Sequence, residues 1–158
     1  MTRKSGILLA VLSALALTAG AVFGVAAKFH AVSSSVANDG ALVVSFDERG
    51  VGEGDITYTL NADATALWAC INGGGKNPSA ANKQSVEGDV AGGGTFAAKN
   101  GRVQASLSAG PIGPGDFACP NGQRLVLAGV TYSNIVLCDV TNDSCTEVPD
   151  ASRTFLNV

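Results

Sequence analysis

The chain has 158 residues, with 10 basic against 13 acidic side chains, a net charge of −3 and 15% charged residues. That balance argues against nucleic acid or an anionic membrane surface as a partner. No run of like charges marks a charged tail, so Ser, Thr, Asn and Gly must cover much of the surface, as in an extracellular all-β protein.

Met1 to Gly6 carries Arg3 and Lys4, Ile7 to Leu17 is an apolar run, and small residues follow at Ala19-Gly20-Ala21 and Val25-Ala26-Ala27. A basic start, a short apolar centre and a small-residue exit are the parts of a secretory signal peptide, expected over residues 1–27. The uncharged stretch Ile7 to Ala27 is also long enough to span a bilayer, so a retained N-terminal anchor is the alternative, and only then is a membrane contact expected. Either way the remainder lies outside the cytoplasm. Cleavage after Ala27 leaves 131 residues, enough for one domain with a real core. Without Arg3 and Lys4 that part has 8 basic and 13 acidic side chains, a net charge of −5.

Residues 28–40 read either as an edge strand or as a flexible leader, and 41–158 as the folded domain. "ALVVSFDE", Ala41 to Glu48, predicts a strand that the glycines at 50, 52 and 54 end. "DITYTLNA" places Ile56, Tyr58 and Leu60 on one face and Thr57 and Thr59 on the other, the period of a half-buried strand. "ATALWACIN" is apolar on both faces and reads as a central strand. Trp68 stands two residues before Cys70, so both point to one face and the indole is expected in the core beside that cysteine. An exposed sugar-stacking platform is the competing role for Trp68.

"INGGGKNPSAANK" follows, and its Gly75-Lys76 pair has the look of a phosphate-cradling loop. The Walker pattern needs a glycine five residues earlier and Ser or Thr after the lysine. Cys70 and Asn77 stand there, and Pro78 argues against the helix such a loop opens. The expectation is a surface loop leaving a strand, in which Asn72, Lys76 and Asn77 are the candidate ligand-binding residues by hydrogen bonding.

"GTFAAKNGRVQASLS" carries Asn100-Gly101, the preferred pair for a type I′ turn, where both residues need positive φ. Pairing outward sets Lys99 opposite Arg102, Ala98 opposite Val103 and Phe96 opposite Ala105. Phe96, Ala98, Val103, Ala105 and Leu107 then share a face. "AGPIGPGDFACPNGQ" is too rich in proline and glycine for a regular element. "QRLVLAGVTYSNIVLCDV" predicts two strands, bent or bulged near Ala128-Gly129. "CDVTNDSC" has polar turn residues at its middle, and a last strand is expected near Arg153 to Val158.

All four cysteines lie in the exported part, which reads as two disulfides. A hairpin brings Cys138 opposite Cys145, leaving Cys70 for Cys119. Zinc is a poor fit, since the ligands are not in close pairs and the single histidine, His30, is distant. Seven to nine short strands predict an immunoglobulin-like Greek-key β-sandwich, with a closed β-barrel as the alternative.

Catalysis finds little support: His30 is the one available imidazole and every cysteine is assigned to a bridge. Asp47, Glu48, Glu53 and Asp55 cluster around a glycine-rich turn and read as solvated acids. Asp139, Asn142, Asp143 and Glu147 lack calcium-loop spacing and read as turn residues. No catalytic residue, metal site or cofactor is expected.

The phrases "ACINGGGKNPSAANK", "GPGDFACPNGQ" and "LVLAGVTYSNIVL" resemble a family of small secreted actinobacterial proteins that has no assigned biochemical function. The resemblance covers about Ala41 to Phe155 and implies secretion and a β-rich domain, with no site residue to carry over. More distantly, the size, two disulfides and "NGRVQASLS" look like the chromophore-carrying apoproteins of enediyne antibiotics, which are secreted immunoglobulin-like sandwiches. Their cysteines close shorter local loops than Cys70 to Cys119. The functional expectation is a secreted non-enzymatic β-sandwich with a binding or cell-envelope structural role, whose partner is an extracellular protein, a glycan or a small molecule. A protease inhibitor using the loop before Cys119, or a small-ligand carrier, is the alternative.

Overall fold

Two antiparallel sheets face each other in the computed structural model, which describes residues 26–74 and 82–158. The expected signal segment lies almost wholly outside the described residues. Among the described residues, no helix is long and apolar enough to cross a membrane.

The strands are β1 (Lys28–Val36), β2 (Leu42–Arg49), β3 (Asp55–Asn72), β4 (Lys83–Ala97), β5 (Arg102–Ala109), β6 (Gln123–Asp139), β7 (Ser144–Val148) and β8 (Ala151–Thr154). One sheet has the order β1-β2-β5. The other has the order β4-β3-β6-β7, with β8 also paired to β6. The chain therefore changes sheets between β2 and β3, between β4 and β5, and between β5 and β6. This is the immunoglobulin-like Greek key, and the sheets do not close into a barrel. Residues 28–36 form an edge strand rather than a leader.

Period-two alternation sets the inward faces. Leu42, Val44 and Phe46 of β2, Ile56, Tyr58 and Leu60 of β3, and Ile135 and Leu137 of β6 are buried. Burying each leucine or isoleucine contributes about 2 kcal/mol. Phe46 joins the sheets, with its ring centroid 4.6 Å from that of Tyr58 and 6.1 Å from those of Phe29 and Phe96.

Three sequence expectations are corrected and one, the irregularity in β6, is met. The runs at 55–72 and 123–139 are one long strand each, not two. The bend or bulge expected near Ala128-Gly129 is present as a bulge: Leu67 pairs with Gly129 and Trp68 with Leu127, leaving Ala128 without an opposite residue. The last strand is Ala151–Thr154, because after it the Phe155 and Leu156 amides turn to the Ala128 carbonyl. The third correction concerns the Asn-Gly hairpin. Asn100 and Gly101 have φ of 53° and 68°, and Lys99 faces Arg102 as expected. Beyond that pair the strands part. Phe96 pairs with Ile56 of β3, whereas Val103 and Ala105 pair with Glu48 and Phe46 of β2. The apolar faces of β4 and β5 bury more fully facing each other across the sandwich than side by side. Phe96, Ala98, Val103, Ala105 and Leu107 still contribute to one core.

The sequence reading also leaves the first half of β4 without an element, because Gly88 and Gly92 to Gly94 weaken its strand signal. Gly92 is required by a close approach: a Cβ there would collide with the Ser108 carbonyl oxygen of β5. On the opposite side, Arg153 donates to the Val36 carbonyl at 3.1 Å and ties β8 to β1.

Candidate functional site

The strands leave two ends with different chemistry. At the loop end lie the turn between β1 and β2, which meets the start of the β5–β6 loop at Pro111, and the end of β3, which the same loop reaches at Cys119. At the turn end, the connections 50–54, 98–101 and 140–143 come together.

The loop end holds the candidates named from sequence. Cys70 bonds Cys119, with Cα atoms 5.5 Å apart, and fastens the long β5–β6 loop to β3. Asn72 is exposed at the end of β3, but its Oδ1 accepts from Gln123 Nε2 at 3.1 Å. The side-chain Oε1 of Gln123 in turn accepts from Asn82 Nδ2 at 3.5 Å. Asn72 is thus one link of an amide chain across the sheet, which occupies its acceptor. Lys76 and Asn77 lie outside the described residues. Trp68 is half-buried against the core, and its indole N–H is buried without a partner. The Tyr132 hydroxyl donates to the Gly40 carbonyl at 2.7 Å and locks the β1–β2 turn to the opposite sheet. Burial pushes the Tyr132 phenol above its ordinary pKa.

The turn end is knitted by backbone bonds. The Gly50 amide donates to the Gly101 carbonyl at 2.8 Å, the Ala98 amide to Gly54 at 2.8 Å, and the Val140 amide to Thr57 at 2.9 Å. Cys138 and Cys145 are directly paired residues of β6 and β7 and form the second disulfide. Asp139 organises the turn that this bridge closes. Its Oδ1 accepts from the Thr141 and Asn142 amides at 2.8 and 3.0 Å, and its Oδ2 accepts from Asn142 Nδ2 at 2.6 Å. Asp139 is therefore the turn residue the sequence suggests, yet it is fully buried.

The acids near the glycine-rich turn divide. Glu53 and Asp55 are exposed, as expected. Asp47 points to the outer face of its sheet. There Arg102 holds it through Nε and Nη2, both at 2.7 Å, and Arg49 adds a 3.2 Å contact. The Arg102 guanidinium, with help from Arg49, brings Asp47 down to about 2. Glu48 is a correction: it is not solvated but fully buried. It faces Tyr58, Asp139 and Ser144, yet neither carboxyl oxygen closes a hydrogen bond of good geometry, and the Tyr58 hydroxyl is also unpartnered. Burial pushes Glu48 up to about 7. The negative charge of Asp139 adds to the rise, and the nearby Tyr58 hydroxyl opposes it. Burial likewise pushes the Tyr58 phenol upward.

A sequence signal for this pair existed. Glu48 continues the inward series Leu42, Val44, Phe46, and Asp139 continues Ile135, Leu137. The same alternation that marks the core points both acids into it.

Where β4 and β5 part after the Asn-Gly turn, they leave a cleft of about 630 Å³. Phe96 and Val103 form its apolar floor, and Lys99, Asn100, Arg102 and Gln104 line the polar remainder. Arg102 is already engaged by Asp47, while Lys99 makes no ion pair among the described residues. Among the described residues, no group of three or more His, Cys, Asp or Glu side chains is placed to hold a metal.

Fold and site define a disulfide-bonded, immunoglobulin-like β-sandwich with a cleft where two of its strands change sheets. The chain matches no protein-family model, no curated protein and no solved structure.

Proposed function

We propose that the protein is a secreted, non-enzymatic β-sandwich that works by binding, with the turn end as its binding end. The observation that carries this reading is the cleft between β4 and β5, whose volume lies in the range of small-molecule sites. Its chemistry suits a small anion with an apolar body: Phe96 and Val103 offer contact area, and the unengaged Lys99 offers charge. Two disulfides fit an oxidising compartment, and the basic, apolar and small-residue layout of the N-terminus supports export. The same cleft favours small-ligand carriage among the ways a sandwich can bind.

Titration of the isotope-labelled mature domain with 1-naphthoate, its neutral amide and a neutral oligosaccharide tests the reading by NMR. Saturable shifts are expected for naphthoate, centred on Phe96 to Gln104 and weakened by Lys99→Glu. Shifts confined to the loop end, or hydrolysis of a defined polymer by the purified domain at a useful rate, would overturn it.

A second reading, protease inhibition, draws on the Cys70–Cys119 bridge. That bridge anchors a loop in which Pro111, Gly113, Gly115 and Asp116 are exposed. Stoichiometric mixing with subtilisin-like and trypsin-like proteases decides it, and undiminished protease activity removes it.

A further inference from the structure

Glu48 is the one carboxyl in the described core with both oxygens buried and unpartnered. It sits at the end of β2 between its cross-strand neighbours Phe29 of β1 and Val103 of β5, neither of which can hydrogen-bond or neutralise it. From the opposite sheet it faces Tyr58 of β3, Asp139 of β6 and Ser144 of β7. The facing side chains thus include one second acid, one phenol and one hydroxyl, and no cation. Arg49 and Arg102 are taken up by Asp47 on the outer face, and Lys28 is exposed. A buried carboxylate without a counter-charge is strongly disfavoured and takes up a proton instead. Asp139 cannot supply that relief, because all three of its hydrogen bonds are accepted ones and its charge opposes a second negative charge beside it.

We infer that Glu48 is held as the neutral acid against Asp139, and that loss of this proton loosens the turn end, so that the pair acts as a pH-dependent latch between the two sheets. On release the Glu48 O–H bond breaks, the proton passes to water, and a second negative charge is left facing Asp139 inside the core. Asp139 then has reason to move, and with it the turn it holds through Thr141 and Asn142. That turn is tied to its neighbours: Thr141 Oγ1 accepts from the Thr57 amide at 2.9 Å, and Asn142 Nδ2 reaches the Val51 carbonyl at 3.5 Å. The Val51 segment bonds Gly101, beside the cleft. The Cys138–Cys145 bridge keeps β6 and β7 joined, so the motion is confined to the turns.

The pH window follows from the shift. Glu48 rises from an ordinary value of 4.5 to about 7 in the fold. As pH rises, the unfolded chain loses this proton before the folded chain does. The contribution to stability is therefore full below about 4.5, falls between 4.5 and 7, and is constant above.

Melting of the mature domain from pH 4.5 to 8.5, for the wild type and Glu48→Gln, tests the latch. The wild type should lose on the order of 10 °C of Tm across the range, and the variant should be nearly flat and the more stable of the two at pH 8. Carbon-13 NMR of the wild-type Glu48 carboxyl supplies a measurement independent of the variant's folding, with an expected midpoint near 7. Amide exchange at Thr141 and Asn142 should speed with pH beyond the intrinsic rate, while that at Ala41 should not. A Glu48 midpoint below 5, or an equal fall in the Gln variant, overturns the inference. So does a Tm rise on adding calcium chloride at pH 8 that Glu48→Gln abolishes, since a cation would then fill the place assigned to the proton.

Discussion

At the loop end, Tyr132 reaches Gly40, Gln123 reaches Asn72, and the 49-residue Cys70–Cys119 span fastens the long loop to β3. At the turn end, Glu48 and Tyr58 are buried without partners, and the bridge spans only seven residues. Polar groups at the loop end are spent mostly on one another, the Trp68 indole N–H excepted. At the turn end Glu48 and Tyr58 are left without partners, near a cleft. The two unpartnered groups lie beside Val103, which pairs with Glu48, and Phe96, whose ring is 6.0 Å from that of Tyr58. Asn72, marked for binding from sequence, therefore has its acceptor already taken at the loop end, and the surface proposed for binding lies at the opposite end.

The two bridges give the largest test of that contrast. By loop-closure entropy, replacing Cys70 and Cys119 with alanine should cost about 4 kcal/mol in denaturant unfolding, and replacing Cys138 and Cys145 about 2.5 kcal/mol. A reversed order would mean that the turn end, not the loop end, carries the stability.

Gly92→Ala comes next. Its Cβ meets backbone rather than a movable side chain, so a loss of about 2 kcal/mol is expected from thermal or chemical unfolding. NMR should also show β4 and β5 shifted apart at Ser108. Tyr132→Phe should cost about 1.5 kcal/mol by stranding the Gly40 carbonyl. At the turn end Tyr58→Phe should behave differently. It removes a hydroxyl that has no partner, so unfolding free energy should change by less than about 0.5 kcal/mol. Equal losses from the two tyrosine changes would erase the contrast between the ends.

The smallest effect is expected from Asp47. Its folded value of about 2 lies below the ordinary 3.8, so its contribution is present above about 3.8 and lost as pH falls toward 2. Combined with the opposite trend at Glu48, wild-type Tm should peak between about pH 4 and 5. Asp47→Asn should flatten only the acid limb and leave the limb above pH 5 unchanged. The pair is solvent-facing, so its effect should also shrink in high salt.

Much of the fold was legible in particular residues. Alternation in Ile56, Tyr58 and Leu60 named an inward face, Asn100-Gly101 named a turn, and cysteine spacing named both bridges. The candidate site was less legible. Asn72 carries a binding-competent amide in sequence, but a cross-strand neighbour claims it. Glu48 looks like one of several turn acids unless the alternation of β2 is followed one residue beyond Phe46. The cleft had no local signal at all, because it exists only where β4 and β5 separate.

Sequence alone decided what is written in local chemistry: which side chains face inward, where the chain must turn, and which cysteines can meet. These depend on strand period, on φ preferences and on distance along the chain. The tertiary structure alone decided which sheet β4 and β5 would join, and therefore which groups would meet between the sheets. That choice rests on burying two apolar faces against each other across the sandwich. The same packing brought Glu48 of one sheet against Asp139 of the other, although 90 residues of chain separate them.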